Sequence, residues 1–148
     1  MSNAGSVPFA MTARIRDQCL CLHAQRAARA LARRFDAALR PLNLTHGQFS
    51  LLTSLNRPEP ASMRSVAGLL AMDRTTLTAG LKPLVRRRLV RVVRDAADSR
   101  ARHLKLTRAG RALLARAVPI WKRTHASLDA RIGSNGGSRL RSKLRALS

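Results

Sequence analysis

The chain has 148 residues, 45% of them hydrophobic but only 3% aromatic and none of them Tyr. That is one ordinary domain's length, with a core of Leu, Val and Ala that favours helices over aromatic-rich strands. Its 29 Lys and Arg against 7 Asp and Glu give a net charge of +22, which excludes an acidic or neutral surface and asks for a polyanionic partner, nucleic acid first.

No run approaches the roughly 18 apolar residues of a membrane span, and none at the N-terminus reads as a signal peptide. No membrane partner is expected, and the chain is expected to be cytoplasmic. Residues 1–12 hold Gly5 and Pro8 and read as a flexible tail. One long helix is then predicted from about Ile15 to Leu39, with Leu20, Ala24, Ala27, Leu31, Phe35, Ala38 and Leu42 on one stripe by their alternating spacing of three and four. Pro41 stops it. Thr45-His46-Gly47-Gln48 fits a capping box, Thr at N-cap and Gln at N3, opening a short helix that buries Phe49, Leu52 and Leu55. Asn56 to Pro60 ends that helix. Ala61-Ser62-Met63 reads as a short strand, with Ser62 capping a helix whose inner face is Val66, Leu69 and Leu70.

Asp73 is the natural N-cap of a further helix, about Arg74 to Arg87. Leu77, Leu81, Leu84 and Val85 are expected to face inward. Two alternating segments, Leu89 to Arg94 and Arg102 to Leu106, flank the polar run Asp95–Ala101 and predict a β-hairpin. Thr107 caps a last long helix with the stripe Leu114, Ala117, Trp121, His125, Leu128 and Ile132. Ser134-Asn135-Gly136-Gly137 breaks it, and Arg139 to Leu147 reads as a basic amphipathic tail helix. Pro83 and Pro119 fall inside helices and are expected to kink them.

Three helices followed by a hairpin are the parts of a winged helix-turn-helix, and the helix at Arg74 takes the place of its recognition helix. Its outward face carries Arg74, Thr75, Thr76, Thr78, Ala79, Lys82 and Arg86. Small and hydroxyl side chains allow close approach to base edges, and cations reach bases or phosphates. Ser65 on the preceding helix joins this set. From Asp73 to Arg111 there are twelve Lys or Arg and three Asp. Arg100 and Arg102 sit on the hairpin, where an Arg suits the negative potential of a narrow minor groove.

The segments LTHGQFSLLTSL, MDRTTLTAGLKPLVRRRLV, RDAADSRARHLKLTRAG and RALLARAVPIW, in this order and spacing, resemble the MarR (multiple antibiotic resistance regulator) family over nearly the whole length. The resemblance implies a mainly α fold with a small β-hairpin wing. In it a winged helix-turn-helix is held in a homodimer by intertwined N- and C-terminal helices. The expected division is a tail at 1–12, a dimerisation helix at 13–42, a DNA-binding domain at 43–107 and C-terminal dimerisation helices at 108–148. By position, Asp98 and Arg100 match the family's wing Asp-x-Arg, in which the Arg enters the minor groove and the Asp helps hold it. The family usually has Gly where this chain has Arg88; Gly suits a left-handed helix end, so the turn there either carries strain or differs. The implied function is a repressor on a palindromic operator in double-stranded DNA, released by an unknown small-molecule effector for which Trp121 is a candidate pocket residue. The apolar stripes on the end helices, with Leu20, Leu31, Phe35, Leu128 and Ile132, ask for a partner in their own right.

Cys19 and Cys21 leave two readings open: small core or interface residues, or redox-sensing thiols such as some relatives place in this helix. Residues two apart on one helix point to nearly opposite sides, so a bond between them requires unwinding it. For an enzyme, no acid pairs with a His at catalytic spacing, no two His lie at ligand spacing and no Gly-rich phosphate loop occurs; no catalytic residue, metal or cofactor is expected. A basic RNA-binding or architectural protein is the remaining class. It usually shows stacking aromatics, and here Phe9, Phe35, Phe49 and Trp121 are all there is, three of them on or near core stripes.

Overall fold

The structure, a computed structural model, describes residues 5–148. It divides into two compact units, one ending at Arg34 and the other spanning Phe35–Ser148. The division falls within a helix, and the second unit holds the C-terminal helices as well as the winged domain.

The first unit departs from the single predicted helix. Helix α1 spans Phe9–Gln18 and helix α2 spans Leu20–Leu39. The expected tail is therefore helical from Phe9; residues 1–4 lie outside the described residues. The break is at Cys19, whose backbone is extended (φ −72°, ψ 108°). Its Sγ accepts the Leu22 amide at 3.4 Å and its carbonyl the His23 amide at 3.1 Å. Cys19 thus does for α2 what an N-cap does, satisfying amides that the first turn leaves unpaired. The His23 ring bridges the break to the Asp17 carbonyl at 3.0 Å. No Gly or Pro marks this position, so the sequence carried no signal for it.

In the second unit a 3-10 turn at Arg40–Leu42, with Pro41 inside it, ends α2. Asn43 follows in the left-handed region (φ 50°), which Asn tolerates. Helix α3 (His46–Ser54) opens with the predicted capping box: the Thr45 hydroxyl accepts the Gln48 amide and the Gln48 side chain accepts the Thr45 amide. Strand β1 (Ala61–Ser62) leads into α4 (Met63–Leu70), capped by Ser62, and α5 spans Arg74–Arg86. Strands β2 (Val90–Arg94) and β3 (Arg102–Leu106) form the hairpin in the register Val90↔Leu106 to Arg94↔Arg102. Ala61 and Ser62 of β1 pair antiparallel with Leu104 and His103, giving the sheet order β1-β3-β2. The wing is thus tied along one edge by a strand that precedes α4. Helix α6 (Arg108–Ile132) contains Pro119, and α7 spans Gly136–Arg145.

The core is aliphatic. Leu39, Leu51, Leu52, Val66, Leu77, Leu84, Val90 and Leu104 are fully buried, and burying each such side chain stabilises by about 1.5–3 kcal/mol. Two inward assignments fail. Leu69 is 62% exposed and Val85 39%; each lies one position round the helix from a residue that packs inward, the half-buried Leu70 or the fully buried Leu84. Phe49 is half-buried against the core's edge.

One junction joins three elements. The left-handed Arg88 (φ 56°) ends α5, with its amide donating to Val85 O and the Leu89 amide to Leu84 O, the bonds of a Schellman turn. The Thr107 hydroxyl then donates to Arg88 O at 2.7 Å while accepting the Gly110 amide at 3.0 Å as N-cap of α6. Gly110 passes so close to the Leu89 carbonyl that a Cβ there would collide with it.

Candidate nucleic-acid interface

Helix α5 is positioned from both ends. At its start the Asp73 carboxylate accepts the Thr76 amide at 2.7 Å and the Thr76 hydroxyl at 2.8 Å. The amide bond first, then the hydroxyl, holds the Asp73 carboxyl below the usual carboxylate range. At its end the Arg87 guanidinium reaches back to the carbonyls of Asn43 (2.6 Å) and Leu42 (3.4 Å). One of the three consecutive arginines is thus a tie between α5 and the turn after α2, which no sequence pattern announced.

Between these anchors Leu77, Leu81 and Leu84 are buried. Arg74, Thr75, Thr76, Thr78, Ala79, Lys82 and Arg86 are all exposed on the other side, as the sequence predicted, with Ser65 exposed on α4. Two hydroxyls have local work: Thr76 donates to Asp73, and Thr78 to the Arg74 carbonyl at 2.8 Å. Their protons are engaged, so towards a ligand they present methyl groups and acceptor lone pairs.

On the wing, Asp98 holds Arg100 through the backbone: its carboxylate accepts the Arg100 amide at 3.0 Å and its carbonyl the Ala101 amide at 3.0 Å. Asp95 likewise accepts the Ala97 amide at 2.8 Å. These Asx-type bonds shape the loop and leave the guanidinium of Arg100 exposed, with Arg102 exposed beside it.

The remaining sequence-predicted residues fall elsewhere. The five stripe residues expected at the dimer are not core within a single chain: Leu20 is 69% exposed, Leu31 and Ile132 are exposed, and Phe35 and Leu128 are half-buried. Trp121 lines a cavity of about 640 Å³ between α3, α4 and α6, together with Phe49, Leu70 and Val118 and with Arg57 among its polar lining. Its ring lies 4.8 Å from that of His125. Cys19 is half-buried at the helix break and Cys21 exposed, so the assumption of one unbroken helix around both thiols does not hold.

Three His–Asp pairs form that spacing did not foresee: His46–Asp36 at 2.9 Å, His125–Asp129 at 3.1 Å and His103–Asp95 at 3.9 Å. The Asp36 carboxylate also accepts the His46 amide at 2.7 Å; that bond, ahead of the imidazole, lowers its pKa. The pair fastens the start of α3 to the end of α2. Among the described residues no three His, Cys, Asp or Glu gather to hold a metal, and no helix is long and apolar enough to cross a membrane.

The fold is that of a crystallised MarR-family transcriptional regulator from Rhodococcus sp. RHA1 (TM-score 0.77, 21% identity, 88% of this chain and 95% of that one). The chain is also 38% identical to the M. tuberculosis transcriptional regulator MosR, solved in complex with DNA, over 88% of this chain and 93% of that one, with a TM-score of 0.80. The chain belongs to the MarR family of transcriptional regulators. No family model matches it, so membership rests on likeness along the whole chain. A curated relative, the HTH-type transcriptional regulator TtmR of Methylorubrum extorquens (strain PA1), is 35% identical over 97 residues, 66% of this chain; the match spans half of TtmR's length.

Within this MarR-family chain, sequence reasoning missed three residues of this region: Arg87, which ties α5 to the turn after α2, Gly110, which meets the Leu89 carbonyl, and Arg64, exposed at the start of α4. Only Arg64 left a trace, through its i, i+3 and i+4 spacing to Ala67 and Gly68 on one face of α4.

Proposed function

We propose that the chain is a dimeric, cytoplasmic DNA-binding repressor. Helix α5 enters the major groove of a palindromic operator, and the wing places Arg100 in the adjacent minor groove. The observation that carries this reading is the outer face of α5, which bears Arg74, Lys82 and Arg86 among Thr and Ala with no acid after the cap. A face of that kind comes close to base edges and neutralises the flanking phosphates. The end-helix stripe of Leu20, Leu31, Phe35, Leu128 and Ile132 is covered by a second copy. Two-fold symmetry then sets the half-sites about one helical turn, ~34 Å, apart. A small molecule in the Trp121 cavity releases the operator by binding the DNA-free state more tightly than the bound one.

Selection of preferred duplexes from a random pool, repeated with candidate effectors, tests this. An inverted repeat is expected. Affinity for the selected duplex is expected to fall about a thousandfold between 50 and 200 mM salt if six or more phosphates are contacted. No preferred duplex together with a flat salt response ends the reading.

A further inference from the structure

Residues 43–107, which hold every DNA contact assigned above, carry twelve of the 29 Lys and Arg and four of the 7 Asp and Glu. Most of the net positive charge therefore lies outside them. One face of α6 carries five of those outlying cations: Arg108, Arg111, Arg116, Lys122 and Arg123, all exposed, within sixteen residues that include no acid. We propose that this face binds a second segment of duplex DNA through its phosphates, so that the protein seated on its operator bridges two duplexes. The proposal goes beyond the operator reading and shares no DNA-contacting residue with it.

The placement is one-sided. Counted at ~100° per residue, the five cations fall within ~140° of helix surface, and the buried Leu113 and Ala117 fall opposite, with Leu128 of the apolar stripe. A second copy seated on Leu128 meets α6 from the far side. Among the described residues none of the five forms an ion pair. The one acid of α6, Asp129, shares a cleft with Lys122 and with Arg141 of α7, but its carboxylate is engaged by the His125 ring at 3.1 Å. Arg111 gives one N–H to the Leu106 carbonyl and keeps the others. The cluster costs the helix stability. Arg108 and Arg111 stand in a first turn without acids, where cations oppose the helix dipole, and they repel each other at i, i+3. Nothing inside the chain offsets that repulsion; a polyanion does.

The side chains between the cations select the occupant. Arg111 and Lys122 flank one side of a strip and Arg116 and Arg123 the other, and the strip shows only Ala112, Ala115 and Pro119. Single-stranded nucleic acid asks for stacking aromatics, and a membrane surface or an amphipathic partner helix asks for large apolar anchors. The strip has neither. Small residues between two rows of long cations suit a phosphate strand held without base contacts. The cluster is ~22 Å long, a length over which one strand of B-DNA presents about six phosphates.

The test loads full-length protein onto its pool-selected duplex fixed to beads, washes away free protein and adds a labelled duplex of unrelated sequence. Wild type is compared with the triple variant Arg116→Ala, Lys122→Ala, Arg123→Ala; Arg116→Gln with Arg123→Gln stands in if the triple variant fails to fold. Wild type is expected to capture the label at 50 mM salt. The triple variant is expected to hold the selected duplex with unchanged Kd and to capture about tenfold less label or lower still, with a log–log salt slope of capture shallower by about two to three. It is expected to melt no lower than wild type, since alanine is the better helix former. Loaded wild type that captures no label overturns the bridge, and so does equal capture by the folded variants. Preferential capture of single-stranded RNA, polyglutamate or phosphatidylserine vesicles in place of duplex overturns it as well. Loss of the selected duplex by the folded variants assigns the face to the operator footprint and overturns the second segment. If the selection yields no preferred duplex, the operator reading falls alone, and the same comparison on an arbitrary bead-bound duplex decides the bridge.

Discussion

Arg88 carries a Cβ in a conformation that glycine adopts freely. Its φ of 56° is the left-handed helix end that closes α5, and the Schellman bonds through Leu84 and Val85 hold it there. A non-glycine residue in this region costs on the order of 1 kcal/mol. Arg88→Gly is therefore expected to raise the melting temperature by about 3 °C in a thermal melt; an unchanged or lower temperature means the guanidinium makes good the strain. Arg100 presents the opposite case, exposed and held only through its backbone amide by Asp98. Arg100→Ala is expected to weaken operator binding about tenfold or more, the loss of one good groove contact, with the melting temperature unchanged. Equal affinity would take the wing out of the proposed interface.

The helices and strands are stapled at their ends, and the staples make most of the fold's decisions. Asp73 caps α5 as an ionised carboxylate. Its pKa is depressed, so its contribution to stability is complete above the unfolded value near 3.8 and is lost as pH falls through the lower folded value. Asp73→Asn keeps an oxygen that accepts the Thr76 amide but removes the titration. Its stability, followed by denaturant unfolding between pH 5 and pH 2, is expected to depend less steeply on pH than the wild type's below about pH 4; parallel curves would deny the cap its ionic character. At the other end of the wing, Gly110 packs against the Leu89 carbonyl. Gly110→Ala pushes a methyl group against the Leu89 carbonyl and is expected to destabilise by about 1–3 kcal/mol, read as a fall in the denaturant midpoint at constant m.

Over the whole molecule, charge and exposed apolar surface each ask for a partner. A chain of net charge +22 repels its own copies, so the proposed dimer has to be held by its aliphatic stripes. Helix α7 offers more of the same, with Leu140 and Leu144 exposed among Arg139, Arg141, Lys143 and Arg145, and Leu147 exposed just beyond its end. Light scattering at 0.15 M salt is expected to give twice the chain mass, and Leu31→Asp with Ile132→Asp to give one chain mass with weakened operator binding. A monomeric wild type that binds its duplex tightly would contradict the dimer.

The local features were legible because they are set by residues close in sequence. The Thr45 capping box, the Ser62, Asp73 and Thr107 caps, the hairpin and the outward face of α5 are all written within a few residues of where they act. The turn at Arg88 was flagged only through the family's usual Gly, as either strained or different, and its left-handed φ decided for the first. Features that depend on distant residues were not legible: the Arg87 tie across 44 residues to Asn43, the pairing of β1 with β3, the Gly110 contact, and the His–Asp pairs at 46 and 36 and at 103 and 95. The break at Cys19 was also hidden, because a sulfur standing in for a cap has no pattern to betray it. Short-range hydrogen bonding and hydrophobic period pass from sequence to element directly. Which faces are left open depends on how the elements pack, and only the tertiary structure decides that.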